Sequence, residues 1–259
     1  MELDRLTLAS NTALETGKKL LDLFHQGKQQ GELKSDQTLV TGADRAADQF
    51  IQTQIRNTFP EDGILSEENS TVFPDGEHTW VVDPLDGTVN FSQGLHAWGV
   101  SIAHLKDGNP VNAAVYIPVI DELYTASLGS GAKLNGNPLK ISESPDDSLF
   151  PIFVHCSRMH KLYKLKTRYQ KRSLGAAAYS LCLIAKSSAV LALESTPKIW
   201  DFAASWLIIK EAGGVIQALG NHQPFPAEPG MDYLKHPYTI LAAVTEEILI
   251  NTLDSLEVR

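Results

Sequence analysis

Leu3, Leu6, Ala9, Ala13, Gly17, Leu20 and Phe24 recur at steps of three and four, the spacing of one buried helical face. Ala43, Ala47, Ile51, Ile55 and Phe59 predict a second helix, and Thr41 with Asp44 three positions on resembles a capping box at its start. From Trp80 the period changes. Short apolar runs at 80–82, 98–105, 111–117 and 122–126 lie between Gly, Pro, Asn and Asp residues and predict a strand-rich centre. The last third alternates again, with helix over 177–185, strand over 189–193, helix over 202–212 closed by Gly213, and strand over 238–244 before a final helix. This interleaving predicts a layered α/β or α+β architecture.

Across 259 residues no repeat or long linker appears, but Ser142, Ser144, Pro145 and Ser148 cluster with three acids. That polar stretch is the expected border between subdomains 1–145 and 146–259 of a single unit. At 43% hydrophobic and 20% charged residues, the chain has the apolar surface for a sizeable core. It lacks an apolar run of membrane-spanning length, and its polar, acidic start lacks a signal peptide's apolar segment. A cytoplasmic protein with no membrane partner is therefore expected. Cys156 and Cys182 are too few for a disulfide framework and read as reduced, buried thiols. The net charge of −9 argues against a nucleic acid partner, since binding a phosphate backbone needs a basic face.

Candidate chemistry concentrates in Val81-Val82-Asp83-Pro84-Leu85-Asp86-Gly87-Thr88-Val89-Asn90-Phe91, where an apolar strand delivers two carboxylates onto a turn. Pro84 removes a backbone donor, and Gly87 lets the backbone approach a ligand. Mg²⁺ takes one or two carboxylates, waters and substrate phosphate oxygens, and Asp83, Asp86 and the Leu85 carbonyl are groups of that kind. A lone Asp-x-x-Asp would read as an ordinary surface turn. Here it is accompanied by Gly63-Ile64-Leu65-Ser66-Glu67-Glu68 upstream and Trp200-Asp201 downstream, with Gly213-Gly214 following after 11 intervening residues.

This ordered set resembles the lithium-sensitive, magnesium-dependent phosphomonoesterase superfamily, and within it the inositol monophosphatase family. The likeness runs from about Lys34 onward and includes Leu39-Val40-Thr41, Ala43-Asp44, Tyr124-Thr125-Ala126, Gly131-Ala132 and Asn135-Gly136. It implies a layered αβαβα sandwich of the inositol monophosphatase and fructose-1,6-bisphosphatase type. It also implies a homodimer and Mg²⁺-dependent hydrolysis of a small phosphate monoester by activated water, without a phosphoenzyme. By the same resemblance Glu67, Asp83 and the Leu85 carbonyl hold one Mg²⁺, and Asp83, Asp86 and Asp201 a second. Thr88 with Glu67 orients the water and accepts its proton, the Gly87 and Thr88 amides bind phosphate, and Asp44 supports a third, weaker Mg²⁺ through water. From position alone, Asp44 is a helix N3 acid and Asp201 an N-cap ahead of Phe202. Glu68 reads as a solvated or supporting acid, and none of the eight histidines is given a catalytic role.

The stretch Arg172-Ser173-Leu174-Gly175-Ala176-Ala177-Ala178 is similar to the family's Gly-(Thr/Ser)-Ala-Ala segment, and Glu194 stands seven residues before Asp201, as does the family acid that binds inositol hydroxyls. The resemblance thus implies that Asp86, the Ala177 backbone, Glu194 and Asp201 contact the alcohol, with inositol 1-phosphate the expected substrate. Ala176 replaces a customary hydroxyl residue and Ser205 a customary glycine. These departures keep fructose-1,6-bisphosphate, 3′-phosphoadenosine 5′-phosphate, histidinol phosphate and NADP⁺ as alternatives, beside a catalytically silent metal-binding regulator. Seven of the 22 Lys and Arg residues lie between Arg158 and Arg172, read first as a solvated face and second as an attractor of anions. The chain has neither a P-loop nor an Asp-x-Asp pair, which excludes P-loop kinases and haloacid-dehalogenase phosphatases.

Overall fold

Helix α1 (Arg5–His25) starts where the Asp4 carboxylate accepts the Thr7 amide, and it buries Leu8, Ala9, Ala13, Gly17 and Leu20. The computed structural model describes residues 4–27, 30–33, 39–142 and 149–259, so Leu3 and the stretch 143–148 lie outside the described residues. Helix α2 (Gly42–Thr58) carries the expected capping box, Thr41 as N-cap and Asp44 at N3. Both helices pack on one face of a seven-stranded sheet. At Gly17 that approach is so close that a Cβ would stand 2.4 Å from the Tyr116 ring.

The sheet runs β1 (Gly63–Ser66), β2 (His78–Asp86), β3 (Gly99–Lys106), β4 (Asn109–Ile117), β5 (Glu122–Ser127), β6 (Ala132–Leu134) and β7 (Asn137–Leu139) in that spatial order. β1 and β2 are parallel and all later neighbours antiparallel. Alternation along the strands sends Trp80, Val82, Val100 and Ile102 toward α1 and α2, and Val81, Ala103, Leu105 and Val115 to the opposite face. A short helix α3 (Thr88–Gln93) follows β2.

Helices α4 (Ala177–Ala185) and α5 (Ile199–Glu211) cover that opposite face. Beyond them lies a five-stranded sheet of β8 (Ile152–His155), β9 (Gln170–Arg172), β10 (Leu191–Glu194), β11 (Val215–Leu219) and β12 (Thr239–Ala243), ordered β9-β8-β10-β12-β11. β9, β8 and β10 are parallel, and β12 is antiparallel to both its neighbours. With α6 (Glu246–Ser255) against β12, the layers read helix, sheet, helix, sheet, helix. The strands of one sheet precede residue 140 and those of the other follow 151, yet one buried cluster runs from Val81 and Val115 through Phe202 and Ile209 to Leu193 and Leu241. Both cysteines are free; Cys182 is buried, and Cys156 only partly so, short of the full burial expected. Among the described residues no helix is long and apolar enough to cross a membrane.

α5 begins at Ile199, three residues before the start expected at Phe202. Ile199 and Trp200 are both buried, so tertiary packing extends the helix N-terminally. Asp201 accordingly stands at N3 inside the first turn, correcting the N-cap expectation, and its Oδ2 accepts the Lys198 amide at 2.7 Å.

Candidate functional site

Pleating alone would turn Asp83 and Asp86, three residues apart on β2, to opposite faces. The register prevents it. Asp83 pairs with Ser101 and Asp86 with Gly99, so three steps on β2 match two on β3. This bulge returns Asp86 to the face that Asp83 shares with α4 and α5. There the Asp86 carboxylate accepts the Ala177 amide at 2.8 Å and the Tyr179 amide at 3.2 Å. Ala176, the N-cap of α4, has no side-chain acceptor, and Asp86 satisfies the helix's first donors in its place.

Glu67 follows β1, and its amide donates to the Val82 carbonyl at 3.3 Å, beside Asp83. Glu67, Asp83 and Asp201 converge from a turn, a strand and a helix, with one ligand oxygen from each within 4.8 Å of the others. The Asp83 carboxyl also accepts the Leu85 amide at 3.0 Å. Asp86 stands beside this trio but is not one of its three members, and Glu194 closes the β10 end of the same buried acidic region.

Burial, then Glu67, Asp86 and Asp201, push the Asp83 carboxyl well above the carboxylate range. Burial followed by Glu67 and Asp86 does the same to Asp201. Asp86 is pushed up to about 6 by burial, against the opposing pull of the Tyr179, Ala177 and Ala178 amides. Carboxylates gathered this closely in a largely buried site repel each other, and divalent cations relieve that repulsion while using the oxygens as ligands. The donor set fits hard oxygen-seeking metals: the trio has carboxylates and no thiolate or imidazole.

The Thr88 hydroxyl lies 2.8 Å from Asp44 Oδ1 and 3.1 Å from the Leu85 carbonyl oxygen. Asp44 thus holds the head of α3 as well as that of α2, and burial raises its pKa against the lowering bonds from Thr41 and Thr88. Gly87 is left-handed at φ 88, and a Cβ there would meet the Ala97 carbonyl at 2.8 Å and the Ala176 Cβ at 3.1 Å. Asn90, in the same motif, ties the loop before α4 to α3 by donating to Ala97 O at 2.6 Å and Leu174 O at 2.7 Å.

Of the residues expected to contact the alcohol, Ala177 has its amide engaged by Asp86. Glu194 is buried against Cys156 and Ser180; burial first, then Cys156 and Asp86, raise its pKa well above the usual range. The two departures from the family pattern are both packing features: Ala176 is buried against Gly87, and buried Ser205 donates to Ala178 O at 3.1 Å across the α4–α5 interface. Arg158, Lys161, Lys164, Lys166, Arg168, Lys171 and Arg172 are all exposed, with Lys164 paired to Glu257 at 2.7 Å. Sequence reasoning missed the bond from Thr88 to Asp44 and the buried Asp48. Acids at 44 and 48, one turn apart beside the apolar stripe of α2, were the available signal.

The profile of the inositol monophosphatase family matches residues 2–256. The chain is 30% identical over 236 residues to fructose-1,6-bisphosphatase/inositol-1-monophosphatase of Aquifex aeolicus, covering 85% of this chain and 87% of that one. It is 32% identical over 216 residues to histidinol-phosphatase of Chlorobaculum parvum, covering 81% and 83%. Among solved structures, the IMPase of Thermotoga maritima superposes with a TM-score of 0.79 at 26% identity, covering 97% of both chains.

Proposed function

Because the chain belongs to the inositol monophosphatase family, whose members are phosphatases, we propose that it hydrolyses a small phosphate monoester, inositol 1-phosphate first, with Mg²⁺ held by its buried acids. The convergence of Glu67, Asp83 and Asp201 carries this reading. Glu67, Asp83 and the Leu85 carbonyl would hold one ion, and Asp83, Asp86 and Asp201 another. Bound divalent cations supply charge stabilisation for an in-line displacement and lower the pKa of water.

Thr88 donates its hydroxyl hydrogen to Asp44, which leaves its oxygen lone pairs to accept a hydrogen bond from the attacking water. Asp44, its pKa raised by burial, is the acid positioned to receive the proton through Thr88, besides supporting a third, weaker ion through water. The Gly87 and Thr88 amides bind phosphate oxygens at the head of α3, and Gly87 cannot gain a side chain without pressing on the Ala97 carbonyl and shifting that turn. Asp86, Asp201, Glu194 and the backbone around Ala177 face the alcohol. Because Asp86 occupies the Ala177 amide, Glu194 is the principal reader of hydroxyls on that side. A cytoplasmic homodimer completes the proposal; a mass near 28 kDa alone by light scattering would count against the dimer.

The test is phosphate release from inositol 1-phosphate, fructose-1,6-bisphosphate, histidinol phosphate, 3′-phosphoadenosine 5′-phosphate and NADP⁺, with Mg²⁺, with added Li⁺, and after chelation. Turnover lost on chelation and greatest for inositol 1-phosphate is expected; full turnover in chelator overturns the metal assignment. Glu194→Gln should lower kcat/KM roughly tenfold to a hundredfold for the polyol phosphate, the weight of a charged hydrogen bond, and spare p-nitrophenyl phosphate. Equal losses on both would make Glu194 a support of the metal site.

A further inference from the structure

Four residues beyond Asp44, helix α2 carries a second buried acid. Asp48 has no exposed surface. Its carboxylate accepts the Ser66 hydroxyl and the Asn69 side-chain amide, together with Gln52 Nε2 at 2.8 Å. Ser66 and Asn69 bracket Glu67, and the segment closes on itself through Ser66 N to Ser70 O at 2.8 Å and Ser70 N to Ser66 O at 3.2 Å. The turn that presents Glu67 thus has two anchorages: a backbone bond from Glu67 to β2, which sets its height beside Asp83, and side-chain bonds to α2, which fix its tilt.

A buried carboxylate is costly unless donors satisfy it, and two of the donors here, Ser66 and Asn69, belong to the Glu67 turn. An ionised carboxylate is also the one small side chain that accepts at every lone pair. Asparagine in its place would turn a donor toward Ser66, Asn69 or Gln52. Asp44 and Asp48 lie about 6 Å apart along one rigid helix, from a rise of about 1.5 Å per residue. Asp44 holds Thr88, and Asp48 holds the turn of Glu67.

We propose that Asp48 is a positioning residue for Glu67, and that α2 sets the spacing between the Glu67 and Thr88 arms of the site. The inference rests on the reading of Glu67, Asp83 and Asp201 as a divalent-cation site. It is distinct from a role in folding alone, because it ties Asp48 to metal affinity rather than to stability.

Mn²⁺ binding to the metal-free protein, followed by electron paramagnetic resonance at a temperature where circular dichroism shows every variant folded, tests it without turnover. Asp48→Asn should weaken Mn²⁺ binding by about 10- to 100-fold, the usual effect of losing a partner behind a metal ligand. Asn69→Ala, which removes one donor to Asp48 from an exposed position, should weaken it several-fold. Ile51→Val, a core change on the same helix, should leave affinity unchanged at a similar loss of thermal stability. The swap Asp48→Asn with Asn69→Asp restores an acceptor opposite a donor and should recover part of the loss. Wild-type affinity in both Asp48→Asn and Asn69→Ala overturns the inference. A parent protein that takes up no Mn²⁺ overturns the cation-site reading on which it rests.

Discussion

Replacing Asp86 by Asn should stabilise the metal-free protein while abolishing its activity. In the native state the Asp86 carboxyl titrates at about 6, against an ordinary 3.8, so at neutral pH the fold holds a charge that it disfavours by ~3 kcal/mol. That cost is already net of the pull of the Ala177 and Tyr179 amides on the charge; asparagine removes the charge but puts an NH₂ group, which cannot accept, where even a protonated carboxyl keeps an oxygen, at a further loss of about 1–1.5 kcal/mol. The balance is a gain of about 1–2 kcal/mol, or a rise of roughly 3–6 °C in Tm for a chain of this size. The window follows from the sign. A raised native pKa favours folding below the unfolded value of 3.8, and that benefit is lost as pH rises through about 6, so the variant's advantage grows across this interval and is constant above it. Urea unfolding of both proteins in chelator from pH 4 to 8 reads it directly. Saturating Mg²⁺ should reverse the order, because a ligand at about 100 times its Kd adds ~2.7 kcal/mol to the protein that binds it. A variant less stable than the parent at pH 8 in chelator, or a gain that does not shrink toward pH 4, would mean that Asp86 is an ordinary helix cap and that a disfavoured buried charge is not what it contributes.

Gly87→Ala should cost at least ~2 kcal/mol and most of the activity, since its Cβ meets the Ala97 carbonyl at 2.8 Å in a left-handed backbone; an unchanged thermal transition would refute the crowding. His104 should make the fold acid-sensitive. Burial drives its pKa down to about 3 from 6.5, while its ring nitrogens sit 3.1 Å from Asn112 Nδ2 and 3.0 Å from His78 Nδ1. A depressed histidine contributes stability above the unfolded 6.5 that is lost as pH falls toward 3. His104→Gln should therefore flatten the pH dependence of urea unfolding over that interval, and an unaltered slope would assign the acid sensitivity elsewhere.

Local signals were legible where local physics decides. The Thr41–Asp44 capping box, the α4 limits and the strands at 98–105 and 122–126 follow from caps and periodicity, and the structure has them within a residue or two. The convergence of Glu67, Asp83 and Asp201 was foreshadowed by the order of their motifs along the chain. What was hidden depends on contacts far apart in sequence. The bulge between Asp83 and Asp86 exists only in the register with β3, and α5 begins early because Ile199 and Trp200 find a core made by other segments. Pro84 suggested a turn, whereas β2 continues through it to Asp86 with the bulge absorbing its missing donor. The pairing of Tyr163–Leu165 with Leu256–Val258 joins segments separated by some ninety residues and has no local signature.

α5 is buried from Ile199 through Ile209 except at Asp201, which is only partly covered, so this helix is wedged between the two sheets with almost no surface of its own. A wedge of that kind makes the site a gauge of assembly. Glu67, Asp83 and Asp86 come from the first half of the chain and Asp201 and Glu194 from the second, so neither half, synthesised or excised alone, has a complete set of acids. Glu67, Asp83 and Asp201 meet only when α5 is packed against the first sheet. A nascent chain therefore carries only part of the acidic cluster until both halves are present.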